Sequence, residues 1–151
     1  MLQLATKADR AAVNEIALQV HGLHVTWRPD LYCMTEELYP EERFDEVIAS
    51  RRLYVAKIEG NVVGYGLLTI RDVDINGLHP CRTMTIEEFG VHEAIRGHGI
   101  GTSMMTDIRA LAKAFRCTHL KLGVYPENED GIRFYERNGF MIRSIDMLAT
   151  V

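Results

Sequence analysis

The clearest chemical signal in the sequence is the glycine-rich segment Arg96-Gly97-His98-Gly99-Ile100-Gly101. It follows an apolar-rich run that ends at Val91, and it precedes a helix-like stretch from Thr102 to Phe115. Three glycines let the backbone approach a ligand closely, and a helix N-terminus directs unpaired N–H groups at an anion. Arg96 adds a full positive charge, so we expect this segment to bind a phosphate group.

Two common phosphate-binding motifs do not fit this spacing. A P-loop requires Lys-Ser or Lys-Thr after its last glycine, whereas Thr102-Ser103 follows Gly101 and no lysine lies nearby. A dinucleotide-binding motif requires a G-x-G-x-x-G array, but threonine occupies position 102, three residues after Gly99. The pattern that remains is R-x-x-G-x-G.

A second segment, from Asn128 to Phe140, reads N-x-x-G-x-x-F-Y-x-x-x-G-F. Together the two motifs resemble the GNAT superfamily of acetyl-CoA-dependent N-acyltransferases, whose pyrophosphate loop matches Arg96 to Gly101. Gly131 differs from the alanine that is usual in that family. The order of predicted elements extends the resemblance over essentially the whole chain, although the specific motifs occupy only residues 86–140.

The resemblance implies acetyl-CoA as co-substrate and no metal ion. It places the pyrophosphate on the N–H groups of Gly97 to Thr102 and the pantetheine along the preceding strand end. Gly90 would suit a bulge that separates this strand from the strand Leu120 to Tyr125. Asn128 is expected both to contact the cofactor and to cap the following helix. The residues expected to bind the cofactor are Phe89, Gly90, Val91, Arg96, Gly97, His98, Gly99, Ile100, Gly101, Thr102, Asn128, Gly131 and Tyr135.

Two neighbouring carboxylates are candidates for the base that amide formation needs. A primary amine with a pKa near 10 is almost wholly protonated at neutral pH, so a proton acceptor assists the reaction. Glu87 and Glu88 lie on the strand beside the expected thioester position. The run Ile86 to Val91 resembles a Leu-Glu-Asp-x-x-Val stretch of spermidine/spermine N-acetyltransferases, which favours Glu87. Two solvated strand carboxylates are the alternative interpretation.

Tyr135 matches the family tyrosine that protonates the departing thiolate, and it is the predicted general acid. The alternative is a plain core cluster with Phe134 and Phe140. Trp27 and Glu87 are the expected contacts of the acceptor amine, because Trp27 lies in the connection that lines the acceptor pocket in the family. A tryptophan that only anchors the two helices remains possible on the sequence alone.

The pattern of apolar residues predicts an α/β fold in the order β-α-α-β-β-β-α-β-α-β, which is the order of the GNAT fold. We expect a mixed, mostly antiparallel sheet flanked by four helices. The first helix is expected to end at Gly22. The predicted elements after it are a helix near Glu36 to Arg52, strands Leu53–Ile58, Val62–Ile70 and Cys81–Val91, a helix Thr102–Phe115, a strand Thr118–Tyr125, a helix Asn128–Asn138 and a closing strand Phe140–Leu148.

Composition fits a single domain over residues 1–151, because 47% of the residues are hydrophobic and 25% are charged. No run approaches the roughly 18 apolar residues of a membrane span, and the first residues do not resemble a signal peptide, so we expect a cytoplasmic protein. A net charge of −4 argues against nucleic-acid partners and permits a cationic substrate. A homodimer is possible through the final strand near Ile142 to Val151.

Other functions remain open on the sequence alone. A catalytically silent acyl-CoA-binding or regulatory module, or a structural protein of the same fold, would need fewer of these residues. For an enzyme, the acceptor could be a polyamine, an amino-acid side chain, an aminoglycoside or a protein N-terminus, because the least diagnostic segments form its pocket.

Overall fold

A five-stranded sheet in the order β1-β2-β3-β4-β5 organises residues 2–151, the part of the chain that the computed structural model describes. The first four strands pair antiparallel, and β5 pairs parallel to β4. The predicted mixed, mostly antiparallel sheet with four helices is therefore confirmed. The strands are β1 (Leu2–Leu4), β2 (Leu53–Ile58), β3 (Asn61–Val73), β4 (Cys81–Val91) and β5 (His119–Leu122). The helices are α1 (Arg10–Trp27), α2 (Glu41–Ala49), α3 (Ile100–Ala114) and α4 (Glu129–Arg137), with 3-10 turns at Lys7–Asp9 and Glu93–Ile95.

The two faces of the sheet bury separate clusters of apolar side chains. One cluster includes Val13 of α1 and Phe44 of α2, and the other includes Ile108 of α3. The consecutive β3 residues Leu67 and Leu68 belong to different clusters, because side chains alternate along a strand. The central strands β3 and β4 therefore connect the half of the protein that holds α1 and α2 to the half that holds α3 and α4.

Helix α1 continues through Gly22 to Trp27, so the predicted helix end at Gly22 is wrong. A glycine inside a helix costs only about 1 kcal/mol relative to alanine. Ring contacts of His24 with Trp27 and Tyr32 stabilise the last turns. Helix α2 is shorter than predicted because it begins after Pro40, which occupies the N-cap position.

Strand β4 contains one extra residue opposite β3. Leu67 pairs with Glu88 and Leu68 pairs with Ile86, so Glu87 has no partner in the ladder. This bulge corrects the expectation that placed it at Gly90, which pairs regularly with Tyr65. Gly90 is required for packing instead, because a Cβ there would lie 2.9 Å from the Tyr65 ring and 3.1 Å from Ile16 of α1.

Residues 141–151 form neither a helix nor a strand, so the predicted closing strand Phe140 to Leu148 is wrong. Alternating apolar residues predicted it, but a strand also needs a partner for its N–H and C=O groups, and the observed sheet ends at β5. The large side chains here are exposed, with Met141 at 87% and Met147 at 91%. The observed order is therefore β-α-α-β-β-β-α-β-α.

Among residues 2–151, none of the helices combines the length and the apolar character needed to span a membrane. The cysteines at positions 33, 81 and 117 are free thiols.

Candidate active site

The glycine-rich loop presents a row of unpaired backbone donors at the start of α3. Gly97 and Gly99 have φ angles of 81° and 82°, in the left-handed region where a Cβ causes strain. The first hydrogen bond of the helix runs from Ser103 N to Gly99 O at 3.0 Å. Within residues 2–151, the N–H groups from Gly97 to Thr102 donate to no backbone carbonyl. These groups are available to an anionic ligand.

The other residues of the loop have distinguishable tasks. Arg96 turns back to β4, where its Nε donates to the Val91 carbonyl at 2.9 Å while the side chain stays exposed. His98 is exposed, and its Nδ1 lies 3.1 Å from the Arg96 carbonyl oxygen. Gly101 serves packing, because a Cβ there would approach the Phe134 ring to 3.2 Å. In this loop, Gly97 and Gly99 adopt the left-handed conformation that its turns need, and Gly101 leaves room for the Phe134 side chain of α4.

Strands β4 and β5 separate beside this loop. They pair from Thr83 and His119 as far as Ile86 and Leu122, where the parallel ladder ends. Beyond that point Phe89 to Val91 pair only with β3. Their second edge therefore has no strand partner in the described chain, and such an edge can bind the amides of an extended ligand.

Asn128 caps α4, as predicted, and the neighbouring glycine makes room for it. The Asn128 Oδ1 accepts a hydrogen bond from Gly131 N at 2.9 Å. A Cβ at position 131 would lie 2.4 to 2.7 Å from atoms of the Asn128 side chain. Gly131, which departs from the usual alanine, therefore permits this cap geometry at the mouth of the cleft.

Tyr135 lies on α4 among three aromatic rings. Its ring centroid is 5.2 Å from that of Phe134, 5.8 Å from that of Phe140 and 6.5 Å from that of Phe89. Burial raises the pKa of its phenol to about 12. Its hydroxyl group has no hydrogen-bond partner within residues 2–151, and it is not among the fully buried unpaired atoms. The ring therefore packs in the core while the hydroxyl stays available, and the role of general acid stays a prediction.

Glu88 is held by three hydrogen-bond donors on the face of the sheet that α1 and α2 cover. Tyr39 and Tyr65 donate their hydroxyls to Oε2 at 2.9 and 3.0 Å, and Arg43 Nη2 donates to Oε1 at 3.0 Å. Burial, followed by the charge of Glu88, raises the pKa of both tyrosines far above the usual range. Those phenols therefore remain donors, and they fix the carboxylate in one orientation.

Glu87 differs from Glu88 in its exposure, in its strand pairing and in its side-chain hydrogen bonds. It is exposed, it occupies the bulge, and within residues 2–151 it forms no hydrogen bond or ion pair. It lies next to Ile86, where the pairing of β4 with β5 ends. Its carboxylate is therefore exposed beside the point where β4 and β5 separate.

An aromatic cluster of His24, Trp27, Tyr32 and Tyr125 lies near Glu88. His24 stacks on Tyr32 with ring centroids 5.1 Å apart, and His24 and Trp27 form a T-shaped pair with ring centroids 5.7 Å apart. The Tyr32 hydroxyl lies 2.8 Å from that of Tyr125, which follows β5. Burial, followed by repulsion from His21, lowers the pKa of His24, while Glu88 acts in the opposite direction. His24 is therefore a neutral ring at neutral pH.

Sequence reasoning did not identify Tyr39, Arg43, Tyr65 and Tyr125 as members of the site. Tyr39 lies 49 residues before Glu88, and Tyr125 lies 93 residues after Tyr32, so no local spacing connects them. The only sequence signal was the aromatic and cationic character of these residues. Within residues 2–151, no group of three or more His, Cys, Asp or Glu side chains is arranged to hold a metal ion.

A family model described as the acetyltransferase (GNAT) family matches residues 20–140. The match covers well over half of the sequence and includes both glycine-containing motifs. The chain belongs to the GNAT acetyltransferase family, whose members use acetyl-CoA.

Curated relatives give a finer comparison over a shorter range. The spermine/spermidine N(1)-acetyltransferase of Bacillus subtilis (strain 168) is 33% identical over 87 residues, which is 54% of this chain and 54% of that protein. The uncharacterized N-acetyltransferase YdgE of the same organism is 30% identical over 70 residues, covering 46% of this chain and 45% of that protein. The chain spans about half the length of the curated relatives it matches.

Solved structures show the same fold over the full length. A tetramutant of the BH1408 protein from Bacillus halodurans has a TM-score of 0.94 at 25% identity, covering 100% of this chain and 99% of that one. The aminoglycoside N-acetyltransferase AAC(6')-Iy in complex with CoA has a TM-score of 0.67 at 13% identity, covering 100% and 98%. The second likeness concerns the fold alone.

The residues present fit a CoA ester. A diphosphate suits the row of free N–H groups at Gly97 to Thr102, since both the donors and the helix dipole favour anions. The amides of pantetheine suit the unpaired edge of Phe89 to Val91.

Proposed function

We propose that this protein transfers the acetyl group of acetyl-CoA directly to a primary amine. The observation that carries the proposal is that three independent features adjoin the point where β4 and β5 separate. They are the free N–H groups of Gly97 to Thr102, the unpaired strand edge of Phe89 to Val91, and the available hydroxyl of Tyr135. A connection that only links a strand to a helix needs none of them.

The donor half of the site binds the co-substrate. The N–H groups of Gly97 to Thr102 hold the diphosphate, and the exposed part of the Arg96 guanidinium adds positive charge beside them. The edge of Phe89 to Val91 holds the pantetheine amides. Asn128 and Gly131 shape the opposite wall at the start of α4. Bound acetyl-CoA supplies the activated acyl group as a thioester.

Two groups move the protons of the reaction. Tyr135, whose phenol has a pKa of about 12, retains its proton at neutral pH and donates it to the departing sulfur. Glu87, exposed and unpaired at the bulge, accepts the proton that the amine must lose. No metal ion is needed for this chemistry.

The acceptor half of the site favours a cationic amine. Glu88 presents a carboxylate in a fixed orientation, although Arg43 partly balances its charge, and the aromatic faces of Trp27 and Tyr32 offer favourable contact to an ammonium group. Because a Bacillus subtilis relative is named a spermine/spermidine N(1)-acetyltransferase, polyamines are the first acceptors to test. Trp27 and Glu88 are the residues that we assign to acceptor binding, together with Glu87 at the reacting nitrogen.

The test is incubation of the purified protein with acetyl-CoA and a pooled panel of polyamines, diamines, aminoglycosides, amino acids and peptides. Mass spectrometry should find an acetylated product that is absent with Tyr135→Phe, together with equimolar free CoA. Binding of acetyl-CoA without any product would favour the silent acyl-CoA-binding module. Failure to bind any CoA ester would contradict both and favour a structural role.

A further inference from the structure

The two oxygens of the Glu88 carboxylate have different numbers of hydrogen-bond partners. Oε2 accepts from the hydroxyls of Tyr39 and Tyr65, whereas Oε1 accepts from Arg43 Nη2 at 3.0 Å and has no second donor within residues 2–151. An ionised carboxylate offers about four lone-pair sites over its two oxygens. The remaining capacity therefore lies on Oε1, directly beside the Arg43 guanidinium, and the Glu88 side chain is 28% exposed.

The Arg43 guanidinium lies where a cationic ligand would bind. It pairs with Glu88, and its Cζ lies 4.5 Å from the centre of the Tyr39 ring. A carboxylate beside an aromatic face is an environment that favours an ammonium ion. Tyr39 is fully buried with Arg43 in place, so a ligand cation reaches this ring face only by displacing the guanidinium. Glu88 and Tyr39 thus form a cation site that a side chain of the protein itself occupies.

The guanidinium can leave this site without disrupting it. The Arg43 side chain is 44% exposed, and ion pairs exposed to this extent contribute little to stability. Arg43 Nη1 also donates to the Leu38 carbonyl at 2.7 Å, but Asn14 holds the same loop independently. Asn14 Oδ1 accepts from Leu38 N and Tyr39 N at 3.0 and 2.8 Å, and its Nδ2 donates to the Tyr39 carbonyl at 2.9 Å. Tyr39 therefore stays in place when Arg43 turns into solvent.

The reacting nitrogen of an acceptor is not the group that this site binds. A nitrogen attacks a thioester as the neutral amine, whereas a nitrogen paired with Glu88 and Tyr39 is stabilised as the ammonium ion. The cation that replaces Arg43 must therefore be a second charged group of the acceptor, and its reacting amine remains available to the proposed base, Glu87.

We infer that Arg43 is a displaceable internal cation that selects acceptors carrying a second positive charge. The inference rests on the proposed function and names its acceptor class as diamines and polyamines, whose remote ammonium group replaces the guanidinium on Glu88 and Tyr39. An acceptor with a single amine has no group that displaces Arg43 while the amine reacts. Competition against the wrong ligand is a general route to specificity.

The test measures the dissociation constant of spermidine by isothermal titration into the full chain saturated with CoA. Arg43→Gln should lower this constant about two- to fivefold, because the competing cation is removed. The matched control is Arg71→Gln, which removes the same charge from an exposed position on β3 opposite Thr83 and should leave the constant unchanged. The gain should disappear when Arg43→Gln is combined with Glu88→Gln, because the charge for which the two cations compete is then absent.

Turnover distinguishes this role from a structural one. With spermidine as acceptor, Arg43→Gln should lower KM about two- to fivefold while kcat changes less than about twofold, whereas loss of a merely structural contact would raise KM or lower kcat. An unchanged or higher dissociation constant in Arg43→Gln would overturn the inference, as would failure of that variant to bind spermidine. Tighter binding in Arg43→Gln without acetylation of the amine would support the cation site and contradict the proposed transfer reaction alone.

Discussion

At the scale of single side chains, the surrounding protein restrains Glu88 and leaves Glu87 free. Glu88 accepts from Tyr39, Tyr65 and Arg43, whereas Glu87 is exposed at the bulge. A carboxylate fixed by three donors is suited to position a cation, because its orientation is set before the substrate arrives. A carboxylate without partners is suited to take up a proton. The proposed function therefore gives the two adjacent carboxylates different roles, which kinetics can distinguish.

Glu87→Gln and Glu88→Gln should affect different kinetic parameters. Glu87→Gln should lower kcat about 10²-fold near neutral pH, because general-base assistance is lost. Glu88→Gln should raise the KM for the amine about tenfold with a smaller change in kcat, since it removes charge from the acceptor side. Steady-state kinetics over a range of pH distinguish them. The opposite pattern would assign the base to Glu88.

Tyr135→Phe should lower kcat about 10²-fold and change the dissociation constant for CoA less than about twofold. The ring keeps its contacts with Phe89, Phe134 and Phe140, while the proton donor is removed. Tyr54→Phe, in a half-buried position on β2, is the matched control and should retain full activity. Isothermal titration with CoA and turnover measurements give both values. Unchanged turnover would remove Tyr135 from the mechanism.

At the scale of elements, the glycines divide between those that set backbone conformation and those that admit a neighbour. Gly97 and Gly99 belong to the first group, with left-handed φ angles. Gly90 and Gly101 belong to the second, because a Cβ would meet α1 or α4. Substitution of a glycine in the first group should change the conformation of the loop, whereas substitution in the second group should disturb the packing of a helix on the sheet.

Gly90→Ala should lower the free energy of unfolding by about 1 to 3 kcal/mol. The added Cβ would lie 2.9 Å from the Tyr65 ring and 3.1 Å from both Ile16 and Val20, so α1 must shift away from β4. Gly123→Ala is the matched control, because a Cβ there meets nothing within 4 Å. Urea denaturation of both variants measures the difference. Equal stabilities would show that α1 adjusts without cost.

At the scale of the whole molecule, local features of the fold were readable from the sequence and long-range ones were not. The limits of β4, Cys81–Val91, followed from its apolar and β-branched residues, and the turn before α3 followed from its glycines. The bulge at Glu87 was missed because it depends on the register with β3. The network around Glu88 was missed because its members converge only when α2 packs on the sheet. The closing strand was predicted from the alternation of apolar and polar residues, and that pattern does not show whether a neighbouring strand is available to pair with it.

Stability should fall as the pH drops below 6.5, and His24 should contribute to the loss. The folded protein lowers the pKa of His24 from 6.5, so the unfolded chain takes up the proton first. The contribution of His24 to stability is therefore fully present above pH 6.5, and it is lost as the pH falls through the pKa of His24 in the folded protein. Thermal unfolding of His24→Gln across this range should show a smaller decrease. The control His79→Gln, at an exposed loop position, should behave like wild type.

The division of the core into two clusters has a practical consequence for protein engineering. Tyr32, Tyr39 and Arg43 on the acceptor side approach the cleft from elements that pack on one face, while the phosphate loop and Tyr135 depend on the other. Libraries that randomise exposed positions among residues 24–43 can therefore test the proposed amine specificity while the glycine-rich loop and Tyr135 are left unchanged. Tyr39, which is fully buried in the core, must be kept constant in such a search, as must β3 and β4, which both faces share.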